Sequence, residues 1–228
     1  MKRNRLIFFI IIVACAAPMY VQAQMSASDL AIYDKIVFNW VDSNKPMNEE
    51  AMIKSINILV GLRKRYSGTQ QTFYDQFLFT WLDSSKTLSE EAFVKTFNVL
   101  SGVRQRYNGA DQTFYDEFIL NRLSSGQLNE EEIIKAFNIL SGVRQRYNGD
   151  VQALFDKFVI AWLASGKNID EAAMIKAFNI LSGVRQRYSG ADQTYFDQYV
   201  IHWTRGGKSL EAEAIIKSFN ILNGARKR

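Results

Sequence analysis

Apolar side chains recur along this chain with helical spacing, in two kinds of segment that alternate. In the first kind the apolar positions are spaced by one, three or four residues, which places them on one face of a helix, helix A. In the second copy these residues are Phe73, Tyr74, Phe77, Leu78, Trp81 and Leu82. The next position is apolar as well in every copy, at Phe38, Phe79, Leu120, Ile160 and Ile201. A helix with so wide an apolar surface needs neighbours on two sides.

The second kind of segment, helix B, opens with a helix-capping signal. Ser, Asn or Asp followed by acidic residues stands at its start, at Asn48, Ser89, Asn129 and Asp170. Such residues accept hydrogen bonds from free backbone N–H groups, and the acids favour the positive helix end. The pattern predicts that helix B continues to Tyr66, Tyr107, Tyr147 and Tyr188 and leaves through a left-handed glycine at Gly68, Gly109, Gly149 and Gly190.

The pair of helices is repeated five times, with a period of 40 or 41 residues. The units cover about residues 29–68, 69–109, 110–149, 150–190 and 191–228. This periodicity predicts an all-α fold, a right-handed α-solenoid of five two-helix repeats, in a single repeat domain over residues 24–228. The last unit has Glu211 at the cap position, Asn223 for Ser182 and Ala225 for Val184, which indicates a terminal unit that faces water.

The first 23 residues have the pattern of a secretory signal peptide. Three basic residues precede an apolar stretch over 6–17 and a small-residue tail that ends at Ala23. The stretch is shorter than the roughly 20 residues of a transmembrane helix. We therefore expect cleavage after Ala23, a secreted or periplasmic protein and no transmembrane segment in the mature chain. The alternative is lipoprotein processing, with Cys15 as the lipid-bearing residue.

Removal of the signal peptide changes the charge of the protein. It contains three of the 28 Lys and Arg residues and none of the 23 Asp and Glu residues, so the mature chain is nearly balanced. Nucleic acid is therefore not an expected partner. The only cysteine also lies in the signal peptide, so we expect no disulfide in the mature domain. No motif indicates a cofactor.

Polar residues recur on the side of helix B opposite its apolar face. They form a lysine row, an asparagine row, a mid-helix glycine row and an arginine row. The candidate ligand-binding residues are Lys54, Lys95, Lys135, Lys176, Lys217, Asn57, Asn98, Asn138, Asn179, Asn220, Arg65, Arg106, Arg146, Arg187 and Arg228. The glycines are Gly61, Gly102, Gly142, Gly183 and Gly224. We predict that this ladder makes the protein an exported, non-enzymatic scaffold for a protein or an extended peptide.

Other interpretations of these rows stay open at the level of sequence. The glycines would allow neighbouring helices to approach closely, the asparagines would bond a neighbouring turn, and the cations would be a solvated surface. A carbohydrate or cell-wall binding module would use the cations and exposed tyrosine residues on an acidic glycan. A helical hydrolase would need only two carboxylates in a cleft, but no pair stands out.

Three further sets of residues have structural interpretations. A second arginine row points into the apolar side of helix B, where an unpaired charge would be costly, and helix A has a matching row of acids. We therefore expect Arg–Asp pairs that join the helices within or between repeats. The rows are Arg63, Arg104, Arg144, Arg185 and Arg226, and Asp34, Asp75, Asp116, Asp156 and Asp197. Trp40, Trp81, Trp162 and Trp203 share one repeat position that Arg122 interrupts, and we expect them to fill the core. His202 is the only histidine, so we expect no metal site and no catalytic residue.

Overall fold

The computed structural model describes residues 26–42, 48–84, 89–126, 129–166, 168–209 and 211–226. These residues form ten α-helices and no strand. The helices are α1 (Ala27–Asp42), α2 (Glu49–Arg63), α3 (Gly68–Ser84), α4 (Glu90–Arg104), α5 (Gly109–Ser124), α6 (Glu130–Arg144), α7 (Gly149–Ala164), α8 (Glu171–Arg185), α9 (Gly190–Arg205) and α10 (Ala212–Arg226). Odd numbers are the A helices and even numbers the B helices of the five predicted repeats.

Some predicted features lie outside the described residues. They are the signal peptide over 1–23 with its cleavage site, the alternative anchor Cys15, and Arg228 at the end of the arginine row. Within the described part, no helix combines the length and the hydrophobicity that crossing a bilayer requires.

The predicted caps of helix B are confirmed, but its predicted end is wrong. The side chains of Asn48, Asn129 and Asp170 accept a hydrogen bond from the backbone N–H three residues later, at 3.0, 3.2 and 2.9 Å. The helices end three residues before the tyrosines, because the last turn has the hydrogen bonds of a 3₁₀-helix, between residues three apart in the chain. One such bond runs from the N–H of Tyr147 to the carbonyl of Arg144. Gly149 has the predicted left-handed conformation, with φ +50°, but it is the first residue of α7 and lies five residues after the end of α6, so it is not the exit of helix B.

Contacts divide the chain into two compact units, the first up to Phe93 and the second from Val94. In the first unit α1 packs on α2 and α3. In the second unit the A helices α5, α7 and α9 pack in series, and the B helices α6, α8 and α10 do the same. Successive helix pairs thus pack in one repeated arrangement, as the α-solenoid prediction requires.

Aromatic side chains fill the space between the helices of each pair. In the second unit the fully buried Phe137 lies 4.8 Å from Tyr115 and 5.4 Å from Phe118, ring centre to ring centre. Trp81 and Trp162 are buried, which confirms their predicted place in the core. Trp40 and Trp203 are only half-buried, and Lys208 lies over the ring of Trp203 at 4.9 Å.

The last repeat departs from the prediction at one of its three substituted positions, Asn223. Ala225 is exposed, as expected of a terminal unit. Asn223 is only 7% exposed, so it does not face water, and no described residue bonds its Oδ1 atom. The side chain is enclosed because position 223 lies on the inner side of α10, next to the buried Phe219.

A candidate ligand-binding face on the B helices

The polar rows of helix B lie on the surface. Every lysine, asparagine and glycine of the rows is exposed, and so are Arg65, Arg106, Arg146 and Arg187. In the second unit the packing of α6, α8 and α10 brings the equivalent side chains of successive repeats side by side. We call this surface, with the apolar row described below, the B face. The first unit carries one copy of it, on α2.

Each asparagine of the B face in α6, α8 and α10 is bonded by a tyrosine of the preceding repeat. The hydroxyl of Tyr107 donates to Oδ1 of Asn138 at 3.3 Å, and that of Tyr188 donates to Oδ1 of Asn220 at 3.0 Å. Tyr147 donates to Asn179 in the same way. The interpretation that these asparagines bond a neighbouring repeat is therefore confirmed for these three.

This bond leaves the asparagine as a hydrogen-bond donor. Burial raises the pKa of the Tyr107 and Tyr147 hydroxyls, although Arg106 and Arg146 beside them act in the opposite direction. The phenol proton therefore stays in place at neutral pH and occupies one of the two acceptor sites of the amide oxygen. No described residue accepts a hydrogen bond from the amide NH2 groups of Asn138, Asn179 and Asn220. The N–H donors of these exposed side chains are therefore available to a ligand.

The mid-helix glycines do not serve helix packing. A Cβ atom placed on any of the five glycines of the row meets no atom within 4 Å, so the interpretation that they let neighbouring helices approach is wrong for the described residues. Their backbone is helical and needs no glycine. Each one costs about 1 kcal/mol relative to alanine. The structure gives no compensating contact within the described chain.

An apolar row that the sequence reasoning missed lies directly beside the glycines. Ile58, Val99, Ile139 and Ile221 are 40%, 41%, 39% and 65% exposed, and Ile180 is half-buried. Each precedes the glycine of its helix by three residues, so the two lie next to each other on the surface. The signal was present in the sequence, as a β-branched apolar residue after the asparagine in all five copies.

The cations of the B face have no acidic contact. Among the described residues, no ion pair within 4 Å involves the lysines of the row or the exposed arginines at the ends of the B helices. Their charge is thus available to a ligand. The lysines can also be explained without a ligand. Acids such as Glu131 stand four residues before lysines such as Lys135, a spacing at which opposite charges stabilise a helix.

The second arginine row has a structural role. Arg63, Arg104, Arg144 and Arg185 are buried, and each donates from Nε and Nη2 to both carboxylate oxygens of an aspartate in the following A helix. The acids are Asp75, Asp116, Asp156 and Asp197. The predicted pairing is confirmed for these four. Among the described residues it is not made by Asp34 or by Arg226, whose Nη1 atom lies 3.7 Å from Asp192 instead.

One cleft of the second unit contains the only histidine. It has a volume of about 470 Å³ and is lined by α7 and α9, with Asp150, Asp197 and His202 among its residues. Arg185 holds both carboxylate oxygens of Asp197, and Asp150 is exposed. The cleft therefore lacks the pair of buried, uncommitted carboxylates that a hydrolase of this kind needs. No group of three His, Cys, Asp or Glu residues within the described segments is placed to hold a metal ion.

Comparison with known proteins adds no relative. No protein family, no curated protein and no solved structure matches this chain.

Proposed function

We propose that this protein is an exported, non-enzymatic scaffold that binds a protein or an extended peptide on the B face. The observation that carries the proposal is the row of glycines with open space above them. Five helices give up about 1 kcal/mol each at the same position. Close approach of a ligand's backbone to the bare helix would explain this choice, since any side chain there would hold the ligand away.

The polar groups of the B face fit a peptide. The asparagine amides and the arginines are donors, and a peptide offers backbone carbonyls and carboxylates as acceptors. Neighbouring B helices lie about 10 Å apart in packed helical arrays. An extended peptide advances about 3.3 Å per residue, so every third residue would meet an equivalent site.

The apolar row favours a peptide over a carbohydrate. The exposed apolar side chains of the B face are aliphatic. The flat rings that a sugar would stack on belong to Tyr107, Tyr147 and Tyr188, and these are half-buried against the core rings of Phe137, Phe178 and Phe219. Aliphatic side chains on a peptide would cover Ile139 and Ile221 on binding. A carbohydrate or cell-wall module is the second candidate, because unpaired cations such as Arg146 also suit an acidic glycan.

The experiment uses variants that separate binding from folding. We would select ligands from a random peptide library with the full protein and measure their affinity for Gly142→Ala combined with Gly183→Ala. The two changes should stabilise the fold by about 0.5–1 kcal/mol each and weaken peptide binding at least tenfold. Since the variant is more stable, misfolding cannot explain the loss. Glu117→Ala, on the exposed side of α5, is the control and should change neither property.

The outcome also separates the two candidates. Peptides that bind the glycine variant as tightly as the original protein would refute the proposal, and so would a library that yields no binder. Binding on an array of acidic oligosaccharides that disappears in Arg146→Glu, with no peptide selected, would move the assignment to the carbohydrate candidate.

A further inference from the structure

The B helix of one repeat and the A helix of the next meet in the same way at four places. A buried arginine of helix B grips the aspartate twelve residues later in helix A with two parallel hydrogen bonds. Apolar residues surround the pair. Before Arg185, for example, Leu181 is 0% exposed, and after Asp197, Val200 and Thr204 are 0% exposed. We call this arrangement the repeat junction.

Helix α1 carries the acidic half of a repeat junction, and no described residue covers it. Asp34 is exposed and has no ion pair within the described segments. Val37, Phe38 and Val41 continue the same stripe of α1, three, four and seven residues on. Phe38 is 62% and Val41 53% exposed. The equivalents of Val41 at the four junctions, Leu82, Leu123, Leu163 and Thr204, are at most 5% exposed.

Helix α10 carries the basic half, which the described residues leave partly exposed, with the guanidinium of Arg226 4.3 Å from the ring centre of Tyr195. Leu222 is 48% exposed, whereas its equivalents Leu59, Leu100, Leu140 and Leu181 are at most 1% exposed. The side chain of Arg226 is 46% exposed. Its Nη1 atom lies 3.7 Å from Asp192, the same kind of contact that Arg63 makes with Asp29. The Nε and Nη2 atoms, which grip the aspartate at every junction, have no acceptor among the described residues.

We propose that copies of this chain associate head to tail, with α10 of one copy packed on α1 of the next and Arg226 paired with Asp34. The two halves match in charge, since one end presents a guanidinium and the other a carboxylate. They also match in surface, since Leu222 on one end and Val41 on the other occupy positions that a junction buries. The contact continues an interface that the chain already builds four times.

The geometry determines what kind of assembly results. The two surfaces are different, so the contact is heterologous and each added copy leaves one free half of each kind. The product is a series of dimers, trimers and longer chains, open or closed into a ring, rather than a symmetric dimer. Because Asp34 and Arg226 are both exposed in the single chain, we expect weak, concentration-dependent association that salt reduces. The inference uses no residue of the B face and is independent of the proposed function.

Charge reversal tests the pairing directly. The protein, expressed with its own N-terminal segment and purified in the form that results, is studied by sedimentation equilibrium over a wide concentration range. Arg226→Glu and Asp34→Arg should each weaken self-association at least tenfold, because each brings like charges together. Mixing the two variants should restore association, since the introduced glutamate faces the introduced arginine and Arg226 faces Asp34. Arg205→Glu and Asp42→Arg, at exposed positions outside the junction, are the controls.

Each outcome decides the proposal. Larger species that form in the original protein, disappear in each variant and return in the mixture would support it. It would be overturned by a protein that is monomeric at every concentration, by association that survives both single changes, or by a closed dimer that never grows. Circular dichroism of both variants checks that these surface changes leave the helices intact.

Discussion

Arg144 provides the sharpest test of how the repeats are held together. Its side chain is 3% exposed, and its guanidinium pairs with Asp156 at 2.6 Å and with Asp111. The same guanidinium lies 5.4 Å from the ring centre of Phe114. The side chain thus contributes both a charge and packed apolar surface. Replacement by alanine removes both contributions, and replacement by methionine removes only the charge.

The two losses have different expected sizes. Removing one partner of a buried pair costs about 3–5 kcal/mol. The side chains of Asp156 and Asp111 are 22% and 44% exposed, so water can solvate part of the stranded charge. We therefore expect Arg144→Ala to lower the free energy of unfolding by about 2–4 kcal/mol. Methionine restores three buried heavy atoms, so Arg144→Met should recover about 1–2 kcal/mol of that loss.

Urea unfolding followed by circular dichroism measures both variants. Arg144→Met with Asp156→Leu removes the more buried of the two stranded acids and leaves Asp111, whose side chain is 44% exposed, to water. This variant should unfold within about 1 kcal/mol of the original protein. Arg146→Ala, two residues further on and exposed, should change stability by less than about 0.5 kcal/mol. Equal losses for the alanine and methionine variants would refute the claim that the side chain is packed as well as paired.

Three further predictions concern other contacts. The Thr96 hydroxyl donates to Glu130 at 2.6 Å and lowers the pKa of that carboxyl, so Thr96→Val should cost about 1 kcal/mol at neutral pH. That cost should shrink as the pH falls through the pKa of Glu130 in the folded state, and a cost independent of pH in urea unfolding would contradict it. Tyr188→Phe and Asn220→Ala should each lower the free energy of unfolding by about 0.5–1 kcal/mol. A double-mutant cycle should give a coupling energy of similar size, and purely additive losses would mean that the two side chains do not interact. Arg122 stands where the other repeats have tryptophan, is 8% exposed and has a pKa that burial lowers. Arg122→Trp should therefore raise the stability measured in thermal unfolding by about 1–2 kcal/mol. A decrease would show that contacts of the buried cation offset the cost of its burial.

Much of the fold was predictable because repetition multiplies a weak signal. One amphipathic segment is ambiguous, but the same caps and apolar spacing occur in copy after copy. The cap residues such as Asn129 and the left-handed Gly149 were found correctly, since local backbone chemistry requires them. The ends of the B helices were placed three residues too late, because the change to a tighter last turn has no sequence marker.

The candidate site was predictable only in part. Periodicity placed Asn138 and Gly142 on one side of a helix, and the structure finds both exposed. It could not tell that Tyr107 bonds Asn138, since the two belong to different repeats and come together only through packing. It also missed Ile139, because an apolar residue beside an apolar stripe is expected to be buried.

The sequence alone determined the number of repeats, the order of their helices and the residues that share each face, because these follow from spacing along one chain. Tertiary structure decided which partners those faces meet. It committed Arg63 and its buried equivalents to aspartates of the next repeat, left the glycines facing open space, and left the halves at Asp34 and Arg226 exposed. The physical reason is that helical periodicity fixes direction around an axis, whereas burial and pairing depend on what another helix brings within a few ångströms.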